Sequence, residues 1–319
     1  HDVRGFFMAL AQPDLGRQVA RVRGVAKHLD IPLTIIDLKD SFQTAVLDYF
    51  TRSYFSGRTP NPCVVCNPQI KFGRLLEEVL AAGCQYMATG HYARIMRSGD
   101  GAFHLLKGLD PGKDQSYFLH RLSQDQLGRI LMPLGSETKE NVYRMAGALG
   151  IAGVHGVESQ DVCFLQGRDL KTFLSGCAGA DKGTGPILTL KGKKIGQHRG
   201  IHGYTVGQRK GLGIPDATPY YVVALDPERN AVVVGKKEDL EQQEFFVGGV
   251  HWIGSTVPDL PSDYCTRIRY RHKGAPSRVA AAERDTCRVL FQEPQLAVTP
   301  GQFAVFYEAD EVIGGGEIL

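Results

Sequence analysis

Two cysteines three positions apart, in a proline-rich segment, give the sharpest chemical signal in the sequence. Cys63 and Cys66 lie between Gly57 and Pro68, and Pro68 opens a predicted helix directly after them. The free N–H groups and the dipole of a helix N-terminus stabilise an anion, so we expect Cys66 to be a reactive thiolate. Half a zinc site or a buried pair would show the same spacing, but the sequence holds no second Cys-x-x-Cys.

Cys163 is a second candidate, in the segment Glu158 to Phe164. By residue type alone it would more often be a small core side chain. The remaining cysteines have no supporting pattern and are predicted to be structural: Cys84, Cys177, Cys265 and Cys287. Seven cysteines, an odd number, without a secretory signal segment indicate a reducing, cytoplasmic compartment. No apolar run approaches the roughly 20 residues of a membrane span, so we expect no membrane partner.

The elements that position these cysteines alternate between strand and helix, which predicts an α/β fold with a parallel, doubly wound sheet. The predicted order is strand 3–8, helix 14–29, strand 33–36, helix 42–55, a helix from Pro68 and strand 86–89. Ligands bind such sheets at the carboxyl ends of the strands, where Met8, Gly90 and His91 lie. By residue type alone, Met8 is as often plain core, and a lone His91 is more often a surface histidine.

The second half of the chain changes character, which predicts two or three domains over 319 residues. Nine glycines between residues 183 and 213 indicate loops and short strands. Short strands are predicted at 220–225, 231–234, 245–252, 265–271, 286–291, 303–307 and 311–318, a spacing typical of a small barrel or sandwich. We therefore divide the chain into an α/β catalytic domain (1–180), a small central domain (181–245) and a β-barrel domain (246–319).

The net charge of +3 says little about partners, but two local basic clusters say more. Residues 187–215 contain six Lys or Arg and no Asp or Glu. Residues 266–273 are predicted to form a strand with Arg267, Arg269 and Arg271 on one face. With Tyr204 and Tyr270 inside them, these clusters suit RNA phosphate contacts and base stacking, although a solvated basic face gives the same pattern.

In this order, the motifs resemble those of the bacterial tRNA-specific 2-thiouridylases, which are tRNA-uridine 2-sulfurtransferases. The matching segments are 57–72, 88–92, 113–118, 163–164, 202–213, 299–302 and 314–316. The resemblance implies an ATP-pyrophosphatase-type α/β domain, a small central domain and a C-terminal, tRNA-binding β-barrel.

The resemblance also implies roles for individual residues. Cys66 corresponds to the nucleophile, Cys163 to the cysteine that carries a persulfide, and Met8 and Gly90 to ATP-binding positions. The positions that meet the target base are Asn61, Pro62 and Cys63. The positions that contact tRNA are His91, Lys113, Asp114, Gln115, Arg269, Tyr270 and Gln302.

The implied reaction uses ATP with Mg²⁺ to adenylate the wobble uridine of a tRNA. Sulfur from the Cys163 persulfide, supplied by a sulfur-donor protein, then replaces the oxygen on carbon-2, and Cys66 closes a disulfide with Cys163.

The sequence departs from the family in two respects. The glycine-rich phosphate loop Ser-Gly-Gly-x-Asp-Ser is absent, and a preceding βα unit of ~30 residues is expected to carry it. Cys63 stands where many relatives carry Asp, so three thiols could hold an iron–sulfur cluster, or Cys63 could be a spare thiol. Two alternatives stay open: a non-catalytic tRNA-binding remnant, and a thiol redox protein that uses Cys63 and Cys66.

Overall fold

The computed structural model describes residues 1–151, 162–165, 167–177, 183–254, 256–283 and 285–319. The domain boundary predicted near residue 180 and residues 158–161 of the Cys163 segment lie outside the described residues. Within the part that is described, no helix is both long and apolar enough to cross a membrane.

The strands of the first half are β1 (Gly5–Ala9), β2 (Leu33–Asp37), β3 (Met87–Ala88), β4 (Ala93–Arg97), β5 (Phe103–Lys107) and β6 (Ile130–Leu131). Those of the second half are β7 (Gly185–Thr189), β8 (Lys194–His198), β9 (Tyr221–Asp226), β10 (Ala231–Gly235), β11 (Glu241–Trp252), β12 (Ser262–Arg267), β13 (Ala275–Ala281), β14 (Thr286–Leu296), β15 (Phe303–Glu308) and β16 (Glu311–Ile318).

The helices are α1 (Leu15–His28), α2 (residues 39–55), α3 (residues 62–81), α4 (Gln124–Leu127), α5 (Lys139–Ala148) and α6 (Leu170–Ser175). Both α2 and α3 contain a π-helical segment, at Gln43–Leu47 and Asn67–Arg74 respectively.

Two parallel strand pairs form the α/β part, as the alternation of strands and helices predicts. β1 pairs with β2, and β3 pairs with β6. Among the described residues the two pairs are not hydrogen-bonded to each other. A cleft of about 2320 Å³, which we call the central cleft, lies between them, with Met8 on the β1 side and Gly90 on the β3 side.

The cysteine pair lies inside α3, whereas the sequence predicted a helix that begins after it. The helix begins at Pro62. Proline is tolerated at this position because the backbone N–H groups of the first helical turn have no partner within the helix. Pro68 then falls in the helix interior, where it would clash with the carbonyl four residues earlier. The wider π-helical turn begins one residue before Pro68 and accommodates it.

The C-terminal strands close into a barrel in the order β11-β14-β13-β12-β15-β16, because β11 also pairs with β16. The strands predicted at 245–252, 286–291, 303–307 and 311–318 are confirmed. The strand predicted over 265–271 instead ends at Arg267. β13 was not predicted. Its buried residues are Ala275, Ser277 and Val279, and the residues between them are exposed.

A hairpin of the α/β part extends the barrel sheet. β4 and β5 pair with each other, and Leu105 of β5 pairs with Val312 of β16. Leu105, Tyr117, Tyr307 and Val312 are fully buried in one hydrophobic cluster that joins the two parts.

The central part has a sheet and a core of its own. Its strand order is β8-β7-β10-β9, and the strands predicted at 220–225 and 231–234 are confirmed. The core side chains are Ile187, Ile201, Tyr204, Leu212, Val222, Val232 and Val234.

Candidate active site

The central cleft brings together every residue that the sequence placed in a catalytic, nucleotide-binding or tRNA-binding position. These are Met8, Asn61, Pro62, Cys63, Cys66, Gly90, His91, Lys113, Asp114, Gln115, Cys163, Arg269, Tyr270 and Gln302. The first half of the chain supplies the floor, and the turn after β12 and the loop before β15 add residues from the barrel.

Three thiols meet in the cleft. Cys63 and Cys66 are three residues apart in the first segment of α3, so they share one face of the helix. Cys163 lines the same cleft, and the charge of its thiolate would raise the pKa of both. All seven cysteines are free thiols.

Burial makes these thiols harder to ionise, which contradicts the predicted thiolate at Cys66. Desolvation is the largest effect at each cysteine; it raises the pKa of Cys66 to about 12 and that of Cys63 to about 11. Cys63 is exposed to solvent within the cleft, but the protein around the cleft still disfavours its charge. The prediction was wrong because Cys66 is the last residue of the first helical segment, beyond the end where the dipole acts most strongly.

The charge of one lysine opposes the effect of burial on the pKa of these thiols. Lys71 lowers the pKa of Cys66, Cys63 and Cys163 through its charge. Its Nζ lies 3.2 Å from Nε2 of His91, and Nδ1 of His91 lies 2.9 Å from Oγ1 of Thr89. Burial first, and then the Lys71 charge, lower the pKa of His91 to about 3, so the imidazole is neutral at physiological pH.

Asp114 supports the cleft wall from inside the protein. Its side chain is 2% exposed and forms an ion pair of 2.8 Å with Nη1 of Arg267. The other carboxylate oxygen accepts hydrogen bonds from the backbone N–H groups of Gly108 and Ser116. The Asp114 carboxylate, which was expected to contact tRNA, is therefore occupied by Arg267 and by backbone N–H groups of its own loop.

The arginines around β12 do not share one face as predicted. The strand ends at Arg267, and residues 268–271 form a bend and turn. Arg267 packs inward, with its guanidinium 4.8 Å from the ring of Tyr307. Arg269 is half-buried and donates to the backbone carbonyl of Leu296 at 3.1 Å, and Arg271 is exposed.

Three further side chains expected to contact tRNA have partners within the protein. Oε1 of Gln115 accepts from the backbone N–H of Tyr92, and Nε2 of Gln302 donates to the carbonyl of Thr59. The ring of Tyr270 packs against the ring of Phe118 at a tilt of 34°, with centroids 4.5 Å apart. These half-buried side chains shape the cleft as well as lining it.

Met8 and Gly90, the two positions expected to bind ATP, lie on opposite sides of the cleft. Met8 is partly buried against the α/β core, so its side chain offers an apolar surface to a flat ring. A Cβ atom at Gly90 would meet only Leu134, at 3.5 Å, so the glycine leaves this wall open rather than filling a tight turn. Among the described residues, no group of three or more His, Cys, Asp or Glu is arranged to hold a metal ion.

Lys71 is the site residue that sequence reasoning missed. It lies in the segment 57–72 that carried the family resemblance, which was the available signal. A spacing of five residues from Cys66 gave no reason to expect contact, because it points about 140° away on an α-helix.

Comparison with known protein families assigns the same three parts to the chain. Residues 2–167 match the tRNA methyl transferase HUP domain, residues 171–236 the tRNA methyl transferase PRC-barrel domain, and residues 242–318 the aminomethyltransferase beta-barrel domain. The fold and cleft therefore define a HUP-domain protein with two appended barrel-type domains, which confirms the expected three-part architecture.

The relatives identify the family within this class. A tRNA-specific 2-thiouridylase MnmA of Desulfotalea psychrophila is 46% identical over 99% of this chain and 92% of its own length. That of Geobacter metallireducens is 46% identical over 93% of this chain and 80% of its own length, and that of Moorella thermoacetica 44% over 95% and 85%. The chain belongs to the tRNA-specific 2-thiouridylase family, which confirms the resemblance found in the motifs.

Proposed function

We propose that the protein is a transferase that replaces oxygen with sulfur on carbon-2 of a uridine in tRNA, at the wobble position. The observation that carries this proposal is the meeting of three thiols in one cleft that also holds Met8, Gly90 and the barrel residue Arg269. A target base, a nucleotide and sulfur-bearing cysteines can thus be brought to one place. The names of the relatives support uridine in tRNA as the substrate.

ATP is the second substrate in this proposal. The carbon-2 oxygen attacks its α-phosphorus, pyrophosphate is released, and the attached adenylate makes that oxygen a good leaving group. Met8 and Gly90 would hold the nucleotide. Among the described residues, no three His, Cys, Asp or Glu side chains are grouped so that they could hold a metal ion, and we assign no step to Mg²⁺ or to an iron–sulfur cluster.

The cysteines carry the sulfur. A persulfide on Cys163, loaded by a sulfur-donor protein, attacks carbon-2 through its terminal sulfur, and AMP leaves with the oxygen. The Cys66 thiolate then attacks Sγ of Cys163. The S–S bond to the transferred sulfur breaks, its electron pair stays on the base as thiocarbonyl, and Cys66 and Cys163 form a disulfide. An external thiol must reduce this disulfide before the next turnover.

A thiol redox function for the Cys63 and Cys66 pair is the alternative, and the burial of both thiols speaks against it. Redox-active Cys-x-x-Cys motifs work through a thiol with a lowered pKa. Here burial raises the pKa of both cysteines.

The test is to express Cys66→Ser and Cys163→Ser variants in cells that lack their own 2-thiouridylase. We expect each variant to abolish 2-thiouridine, measured by mass spectrometry of tRNA nucleosides, while tRNA affinity stays nearly unchanged because neither substitution removes a positive charge from the cleft. Cys177→Ser is the matched control, because this thiol donates to the carbonyl of Phe173 and a hydroxyl can do the same. Normal 2-thiouridine with either site variant would contradict the mechanism.

A further inference from the structure

A buried nucleophile needs a nearby positive charge to become an anion. The groups whose charges act on Cys66 are Lys71, which favours its thiolate, and Cys163 and Cys63, which oppose it. Burial also raises the pKa of the two other thiols. Lys71 is the one cation among these groups, and only its charge counteracts the desolvation of Cys66.

The backbone of α3 brings Lys71 to the cysteines. On a regular α-helix, a residue five positions after Cys66 would lie about 140° around the helix axis. Residues 67–74 instead form a π-helical segment, in which hydrogen bonds join residues five apart. This wider turn returns Lys71 toward the Cys66 face, and Lys71 lines the central cleft together with all three thiols.

His91 holds the lysine in place. A lysine ammonium has donors only, so Nε2 of His91 must accept the 3.2 Å hydrogen bond from Lys71. The ring proton is therefore on Nδ1, where it is donated to Oγ1 of Thr89 at 2.9 Å. The ring also packs against Phe72, with centroids 5.4 Å apart. The imidazole is thus fixed in one tautomer and one orientation, with its lone pair toward Lys71.

We propose that Lys71 is the charge partner that stabilises the Cys66 thiolate, and that His91 is a positioning residue that orients Lys71 through Nε2. The inference rests on the proposed function only in taking Cys66 as the attacking thiol. It gives His91, expected at a tRNA contact, a role directed toward the cysteines.

Alkylation of Cys66 tests this without tRNA or ATP. The whole chain, with Cys63→Ser and Cys163→Ser, is treated with iodoacetamide between pH 7 and pH 10, and labelling of Cys66 is followed by mass spectrometry. Lys71→Met should lower the rate at pH 8 about tenfold, the effect of one pKa unit. Lys71→Arg should restore most of it, because it keeps the charge. Labelling of Cys177 in the same samples is the internal reference for intact folding.

A second pair of variants tests the positioning role. His91→Leu keeps the Lys71 charge but removes its acceptor, so Cys66 should be alkylated more slowly. His91→Gln offers an amide oxygen to Lys71 and should restore the rate. Unchanged alkylation profiles in both Lys71→Met and His91→Leu would overturn the proposal. Because 2-thiouridine is not measured here, this outcome is distinct from the failure of the proposed function.

Discussion

Buried polar side chains at the site have structural as well as functional consequences, and Asp114 with Arg267 is the clearest case. Two charges removed from water are tolerated only when each has a partner and its remaining hydrogen bonds are satisfied. Asp114 meets this condition through Arg267 and two backbone N–H groups. The loop that carries Lys113 and Gln115 is thereby fixed to the barrel strand β12, so the barrel helps to shape the central cleft.

His120 predicts how stability depends on pH. It is fully buried; its Nδ1 lies 2.8 Å from the carbonyl of Tyr117, and burial lowers its pKa from 6.5 to about 3. Between these values the unfolded chain binds more protons than the folded one. The stabilising effect is therefore complete above pH 6.5 and is lost as the pH falls, at about 1.4 kcal/mol per pH unit.

The corresponding measurement is urea denaturation at pH 7.5 and pH 5.5. His120→Gln removes the titrating ring, so the difference in unfolding free energy between the two pH values should shrink by about 1.4 kcal/mol. His91, whose pKa is also lowered, keeps its share of the dependence in this variant. An equal difference in wild type and variant would show that His120 is not neutral in the folded state.

The loop before α3 is held by elements of both other parts of the chain. The backbone N–H of Thr59 donates to Pro300, and Gln302 donates back to the Thr59 carbonyl. On the other side, Gly57 approaches Pro227 so closely that a Cβ atom would lie 2.7 Å from its ring. The segment that leads into the cysteines is therefore clamped between the central part and the barrel.

Gly301 tests this clamp, with Gly83 as a matched control. Their φ angles are +89° and +85°, so an alanine costs about 1–2 kcal/mol of backbone strain at either position. A Cβ atom at Gly301 would lie 2.8 Å from the backbone nitrogen of Thr59, whereas one at Gly83 would meet nothing within 4 Å. We expect Gly301→Ala to lose about 1–3 kcal/mol more than Gly83→Ala in urea denaturation. Equal losses would mean that the two loops separate easily.

Local patterns in the sequence predicted most strands, because alternation and apolar runs are properties of neighbouring residues. They failed where distant residues decide. The segment around Arg269 alternates like a strand, but β12 ends at Arg267 and the chain turns toward the cleft. The pairing of β5 with β16 joins residues about 200 positions apart, and no local pattern encodes it.

The same distinction applies to the site. Met8 and Gly90 could be placed at one ligand-binding edge, because ligands bind doubly wound sheets at the carboxyl ends of the strands, and the family resemblance joined Cys66 to them. The ionisation of Cys66 could not be predicted, because burial depends on the packing of the whole cleft. Lys71 was missed because its position near the cysteines depends on a π-helical turn, which no local sequence pattern predicts.

At the scale of the whole molecule, the α/β part and the barrel form one body, and the central part has its own core. Phe303, Val305, Tyr307 and Val312 of the barrel belong to the same hydrophobic cluster as the buried side chains of α3. Val232 belongs instead to the separate cluster of the central sheet. Cooperative units follow such shared cores, so we expect α3 and the barrel to open together.

Val312→Ala and Val232→Ala compare the two cores with the same chemical change. Both valines are fully buried, and each substitution should cost about 2 kcal/mol. By amide hydrogen exchange, Val312→Ala should lower protection both in β15 and in α3, because one core stabilises both. Val232→Ala should lower protection in β9 and β10 and leave α3 unchanged. If Val312→Ala loosened the barrel alone, the cysteine helix would be stable without it, and the shared core would not make α3 and the barrel one cooperative unit.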